Sequence, residues 1–377
     1  MRPEDRVNQS TQPRRDFLLS CASNLHLAKS TIGKNTLRAT ARLLNGKSTA
    51  GVTAALASGG CLSESNPDRP QKVWGRRGFS PGRFLKPRAI TIDEQDRLYI
   101  VDTTGRIQVF DTEGNFLHQW KTPQTQNGRP TGLAFGAAQK LSSSTKSSEV
   151  QRDPDVNDPD VNDPRIFVAD THYYRMLSYT LKGEPVTDES IGGVAGIGPG
   201  EFAFVTDIAC DRFGCRYIGE YNASDRIQKF DAEGNFLCQW GGTGRNPGSF
   251  VRPQSLVIQE DVLWVVDSCN HRIQRFDISV TPPRLIDIWG QAGSANGEFF
   301  YPYDLAIASD GSVVVIEYKN NRLQRFSSSG EWMASWGGPG FEPGKLNQPW
   351  GVVVDSKDRV HILDSNNHRI QRIELPA

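Results

Sequence analysis

From residue 71 onward, short runs of alternating apolar and polar residues are separated by tight turns, the pattern of half-buried β-strands. Each unit opens on a Gly-x-Phe and proline segment. An apolar strand, a short turn and a second strand ending in an acid come next. A third strand begins at an arginine, and a fourth ends at a tryptophan. The third strands start at Arg106, Arg175, Arg226, Arg272, Arg322 and Arg369, which makes six units. The acids closing the second strands are Asp102, Asp170, Glu220, Asp267, Glu317 and Asp364, spaced 68, 50, 47, 50 and 47 residues apart. A unit of about 48 residues with four strands cannot bury both of its faces alone, so neighbouring units must stack. The pattern predicts an all-β, six-bladed β-propeller of four-stranded antiparallel blades over residues 71–377.

Two irregularities refine that expectation. The long first interval places an insertion at residues 137–164, where serines precede the tandem run Asp153-Pro154-Asp155-Val156-Asn157 and Asp158-Pro159-Asp160-Val161-Asn162. Its prolines and low apolar content predict a solvated, disordered loop inside the second blade. Trp120, Trp240, Trp289 and Trp336 end fourth strands, but the sixth unit supplies only three strands before Ala377. Gln71-Lys72-Val73-Trp74-Gly75 has the outer-strand pattern and no blade of its own. It is predicted to complete the last blade and so remove an exposed sheet edge.

The stretches Asp267-Ser268-Cys269-Asn270-His271-Arg272-Ile273-Gln274 and Asp364-Ser365-Asn366-Asn367-His368-Arg369-Ile370-Gln371 resemble the Asp-x-x-Asn-x-Arg-Ile-Gln signature of the NHL repeat family, as does the closing Trp-Gly. The resemblance covers residues 71–377 and implies the same propeller fold. The second unit departs furthest from the family, lacking the Ile-Gln pair and the terminal tryptophan.

Residues 1–70 show no strand alternation and read as an export-signal-like or disordered leader. Pro13-Arg14-Arg15-Asp16-Phe17-Leu18-Leu19 resembles a twin-arginine export signal, although Lys29, Lys34, Arg38, Arg42 and Lys47 interrupt the apolar stretch expected after it. The resemblance implies an exported protein, periplasmic or associated with the cell surface. No run is long and apolar enough for a transmembrane span. The leader carries ten Lys or Arg against five Asp or Glu, and the whole chain has 43 of each, so the remainder is mildly acidic. A sequence-independent grip on a phosphate backbone needs a basic surface, so nucleic acid is not an expected partner.

Candidate chemistry concentrates at the mouth of the central channel. The residues following each first-strand proline or its equivalent are Arg88, Thr131, Thr206, Gln254, Tyr303 and Trp350, and the next ones include Asp207, Ser255 and Asp304. These positions either form a ligand site or plug the channel. Blades three and five each pair an Asp near the first-strand start with a Glu-Tyr thirteen residues later: Asp207 with Glu220 and Tyr221, Asp304 with Glu317 and Tyr318. Two close carboxylates must share a proton, bind a cation or pair with a base. The bases at hand are Arg226 and Arg322. The candidate ligand-binding residues are therefore Arg88, Asp207, Glu220, Tyr303, Asp304, Glu317 and Trp350.

The NHL family includes an amidating lyase with a histidine-bound zinc, but the histidines here differ in strand and loop from blade to blade and predict no metal constellation. No cofactor is expected, with calcium and zinc left open. Cys210 and Cys215 flank the hairpin turn Asp211-Arg212-Phe213-Gly214 and are either a cross-strand disulfide or two buried thiols. The expected function is non-enzymatic: a monomeric, exported propeller binding a protein, peptide or glycan partner at its channel mouth. The alternative is a metal-assisted hydrolase or lyase using the acids of blades three and five.

Overall fold

The structure, a computed structural model, describes residues 69–138 and 163–377. Its strands form six four-stranded antiparallel sheets. Five are built from consecutive strands, as in blade one: Pro87–Ile92, Leu98–Asp102, Arg106–Phe110 and Phe116–Lys121. The sixth runs Lys72–Trp74, Arg369–Glu374, Arg359–Asp364 and Val352–Val354, so the N-terminal strand closes the last blade. Lys72 faces Arg372, Val73 faces Gln371 and Trp74 faces Ile370. The first strand of each blade lies innermost. It touches the first strands of both neighbours, with blade six meeting blade one.

Six apolar clusters fill the six interfaces between blades. Second strands are buried almost throughout because they are covered on both faces, whereas outer strands alternate. Blade two has the shortest outer strand, Ile191–Gly192, with Ile191 opposite Met176 where other blades place a tryptophan. Its first hairpin extends to the pair Ala138 and Asp163, so the ends of the expected insertion are strand residues. The rest of that insertion, 139–162, and the leader lie outside the described residues. Among the described residues no helix is long and apolar enough to cross a membrane.

The repeated signature is a structural clasp. The Asp267 carboxylate accepts hydrogen bonds from Val251 N (2.8 Å), Asn270 Nδ2 (2.8 Å), Arg272 Nε (2.7 Å) and Gln274 Nε2 (3.1 Å). The Arg272 guanidinium continues to the carbonyls of Arg245, Asn246 and Ser249 in the loop leading into the blade. Blade six repeats this arrangement with Asp364, Asn367, Arg369 and Gln371. A buried carboxylate that accepts four hydrogen bonds ties three segments together, which explains why the motif recurs at this period.

The loop histidines serve a second clasp, between blades. His271 Nδ1 accepts Tyr301 N at 3.1 Å, and His368 Nδ1 accepts Lys86 N at 2.9 Å. Asp225 and Asn321 do the same for Arg252 N and Gln348 N. The four residues so held, Lys86, Arg252, Tyr301 and Gln348, all precede a proline and all have positive φ, between 47° and 61°. That conformation is costly for a residue with a Cβ, and the clasp holds it in place.

Candidate functional site

Directly after three of these clasped residues, and after Val205 in blade three, the first strands bulge. The pairing register slips between Pro87 and Ala89, Val205 and Ile208, Pro253 and Ser255, and Pro302 and Asp304. A bulge leaves its extra residue unpaired and re-aims its side chain. The bulged residues are Arg88, Thr206 with Asp207, Gln254 and Tyr303, so the sheet irregularity itself delivers them to the channel. Of these, Arg88, Asp207, Gln254 and Tyr303 line, with Trp350, a cavity of about 370 Å³ that runs down the channel axis.

The upper layer is aromatic and cationic. Tyr303 and Tyr318 stack with ring centres 4.6 Å apart, and Trp350 stands edge-on to Tyr303 at 4.9 Å. The Arg88 guanidinium lies over the Trp350 ring at 5.2 Å. Arg252 lies over Tyr221 at 4.8 Å and over Tyr303 at 5.6 Å. Burial, then the like charges of Arg129 and Arg252, hold Arg88 below the usual guanidinium value. Burial pushes the Tyr303 hydroxyl up to about 12 and raises Tyr221 and Tyr318 in the same sense.

Beneath it lies a belt of two carboxylates and a serine. Asp304 accepts Ser255 Oγ at 2.6 Å, Leu305 N at 2.9 Å and Val352 N at 2.9 Å. Asp207 accepts Leu256 N at 3.0 Å. The belt therefore bonds the first strand of blade three to blade four, four to five, and five to six. Gly132 and Gly351 leave room for it: a Cβ at Gly132 would sit 2.5 Å from Asp207 Oδ1, and one at Gly351 would sit 3.4 Å from Asp304 Oδ2. Burial pushes Asp304 up to about 7. It raises Asp207 well above the carboxylate range, with the charge of Asp304 adding to it. Below the belt the channel is mainly apolar, lined by residues such as Ile92, Val257, Ile307 and Val354.

The candidate residues from the sequence thus divide. Arg88, Asp207, Tyr303, Asp304 and Trp350 line one cavity. Glu220 and Glu317 do not: both are fully buried at the strand ends, in the place Asp267 and Asp364 occupy in their blades. Glu220 binds Arg226, Gln228 and Ala203 N, and Glu317 binds Arg322, Gln324, Asn320 and Phe300 N. The expected Asp–Glu pairs are not formed, because the bulge after Val205 and after Pro302 turns each Asp toward the axis. The acids that come together are instead Asp207 and Asp304, with Ser255 between them. The thiols of Cys210 and Cys215 are likewise not joined. Cys210 pairs in register with Arg216, and the two cysteines pack against apolar clusters on opposite faces of their sheet. Sequence reasoning passed over Arg252 and Arg129; each immediately precedes a first-strand proline, which is the signal that could have found them. Among the described residues no group of three or more His, Cys, Asp or Glu is arranged to hold a metal ion.

The comparison with known families falls on the clasps. The NHL repeat model matches residues 250–276 and 346–373, which carry the two most complete signatures. The matched segments lie in blades four and six. A probable peptidyl-alpha-hydroxyglycine alpha-amidating lyase, pgal-1 of Caenorhabditis elegans, is 36% identical over 91 residues, 22% of this chain and 26% of that protein. The chain therefore spans about a quarter of the curated relative's length. Among solved structures, a streptogramin B lyase is 14% identical with a TM-score of 0.51, over 80% of this chain and 96% of that one. An auxiliary nutrient binding protein from Bacteroides ovatus is 14% identical with a TM-score of 0.57, over 80% of this chain and 75% of that one. At such identities these structural likenesses show the propeller fold, and function has to be argued from the site.

Proposed function

We propose that this NHL-type propeller is an exported, monomeric, non-enzymatic recognition protein that takes a protein, peptide or glycan partner at its channel mouth. The observation that carries the reading is the set of first-strand bulges that turn Arg88, Gln254 and Tyr303 toward the axis, beside Trp350. Strained, clasped backbone placed just where a pocket opens is characteristic of binding sites. A pocket of this volume with aromatic walls and a few convergent polar groups is suited to hold a ligand. Relatives with nutrient-binding names share the fold, as do lyases. A metal-assisted hydrolase or lyase built on the acids of blades three and five draws no support from the geometry, since Glu220 and Glu317 spend their oxygens on the clasps.

The test is capture of partners from the producing cell by the wild-type chain and by an Arg88→Ala, Tyr303→Ala, Trp350→Ala variant. Partners retained by the wild type should fall at least about tenfold for the variant, since losing a central aromatic and arginine anchor costs about 2 kcal/mol or more. Undiminished capture by a variant that still unfolds cooperatively would place the binding face elsewhere.

A further inference from the structure

In a four-stranded antiparallel blade successive connections alternate ends. The loops from fourth to first strands and from second to third strands therefore share the face on which the channel mouth opens. Among the described residues these loops carry nine Lys or Arg against four Asp or Glu. The turns on the opposite face carry four against seventeen. The ring is thus polarised along its axis, with a basic front and an acidic back. Several of the front bases are uncommitted: Arg76, Arg77, Lys86 and Arg245 are exposed, and none makes an ion pair or a side-chain hydrogen bond among the described residues.

The same face carries the apolar side chains that the chain covers least. Phe341, Phe79, Ile197 and Val194, between 60% and 74% exposed, are the four most exposed large hydrophobic residues among those described, and all lie in fourth-to-first loops. Phe79, Ile197 and Phe341 occupy one position of the repeat, two residues before a proline, and Arg245 takes it in blade four. The clasp arginines pin these tips by their main chain. Arg106 donates to the carbonyls of Phe79 and Ser80, Arg226 to those of Ile197 and Gly198, and Arg369 to those of Glu342 and Lys345. A loop held in this way cannot fold its apolar side chain back onto the body, so the exposure is built in and marks a contact surface.

The partner must be anionic and must reach every tip. Blade six neighbours blade one, while blade three stands across the ring from blade six. Protein interfaces gather their apolar anchors at a desolvated centre and leave charge at the rim. Here the apolar groups stand singly at the periphery with bases beside them, Arg76 and Arg77 before Phe79 and Lys345 after Phe341, as in proteins that lie on a lipid interface. A bilayer needs no matching pocket. It takes each side chain separately at the headgroup boundary, and anionic headgroups complement the basic front while the acidic back faces away. We infer that the propeller docks mouth face first on an anionic lipid surface, inserting Phe79, Ile197 and Phe341 and pairing Arg76, Arg77 and Arg245 with lipid phosphates. This docking rests on the rim and is independent of what the channel binds.

Co-sedimentation of the full chain with vesicles of phosphatidylcholine alone, and of phosphatidylcholine with about one third phosphatidylglycerol, tests it. The anionic vesicles should hold the chain at least about tenfold better, and about 0.5 M salt should remove most of that advantage. Phe79→Ser with Phe341→Ser, and separately Arg76→Gln with Arg77→Gln, should each lower the partition onto anionic vesicles about tenfold while leaving the melting temperature unchanged. Equal binding to the two vesicles, or none to either, overturns the inference. Wild-type partition by both variants would place the lipid contact on another segment and overturns it too. Full retention by the phenylalanine variant alone overturns insertion. A single-stranded oligonucleotide held in preference to anionic vesicles, equally by wild type and the phenylalanine variant, overturns the lipid in favour of a soluble polyanion.

Discussion

Asp304 and Asp207 are acids placed where acids are costly. Each is held by main-chain N–H groups, which favours the charge, yet burial outweighs those bonds and pushes Asp304 up to about 7. Burial raises Asp207 too, and the charge of Asp304 opposes its ionisation. An ordinary unfolded aspartate titrates near about 3.9. Between that value and about 7 the folded chain binds the more protons, so this residue's contribution makes stability fall as pH rises through the window. Above it the cost is fully present. Asp304→Asn removes the ionisation and keeps an oxygen to accept Ser255 and the main chain. The melting temperature of the variant relative to wild type should therefore climb between about pH 4 and pH 7 and level off above, once Asp304 is ionised in the folded chain too. A difference that stays constant across that range would show that Asp304 is already charged at the low end.

At the scale of elements, the outer strand of each blade reports on its neighbour. Trp120 at the end of blade one packs on the turn at Gly183 in blade two, as Trp289 packs on Gly330 and Trp74 on Gly114. A Cβ added at Gly183 would sit 2.5 Å from the Trp120 ring, on a backbone with φ of 87°. Gly234 has the same φ of 87°, but faces Ile191, and its Cβ would find 3.7 Å of clearance. Alanine at either position carries the same backbone strain, so the pair isolates the packing. Gly183→Ala should cost roughly 1–3 kcal/mol more than Gly234→Ala in denaturant unfolding. Equal losses would mean that the tryptophan moves aside freely. This element-level grammar was readable in the chain, because strand ends, turns and clasp residues each demand a particular side chain and recur six times. The bulges were not readable. They insert one residue without a composition of their own, and they decide whether Asp207 points at Glu220 or at the axis. Arg88, Tyr303 and Trp350 do meet in one cavity, whereas the acids pair otherwise than the sequence suggested. Substituting Glu for Asp at 220 and 317 lengthens the clasp side chain without moving it into the channel.

For the whole molecule, the decisive question is how the ring is held shut. A propeller built only from consecutive strands would leave blade six with three strands and an open edge. Here Lys72–Trp74 supplies the fourth, pairing with Arg369–Glu374 from the other end of the chain. The strand brings more than a ladder: Trp74 lies 4.7 Å from Phe110 and 5.9 Å from Phe84, both in blade one, so it fastens the sixth blade to the first. Lys72 adds an ion pair to Glu113 of blade one at 2.9 Å, too exposed to count for much. A chain beginning at Arg69 keeps all of these contacts, and one beginning at Arg76 loses them. Loss of a partly buried tryptophan and its ladder bonds should cost roughly 4–6 kcal/mol. For a domain of this size that lowers the melting temperature by about 10 °C. The shorter chain should also bind more of a hydrophobic dye, since the Phe84 and Phe110 faces become accessible. Equal melting temperatures for the two chains would show that blade six stands on three strands, and that the meeting of the chain ends adds nothing to the ring.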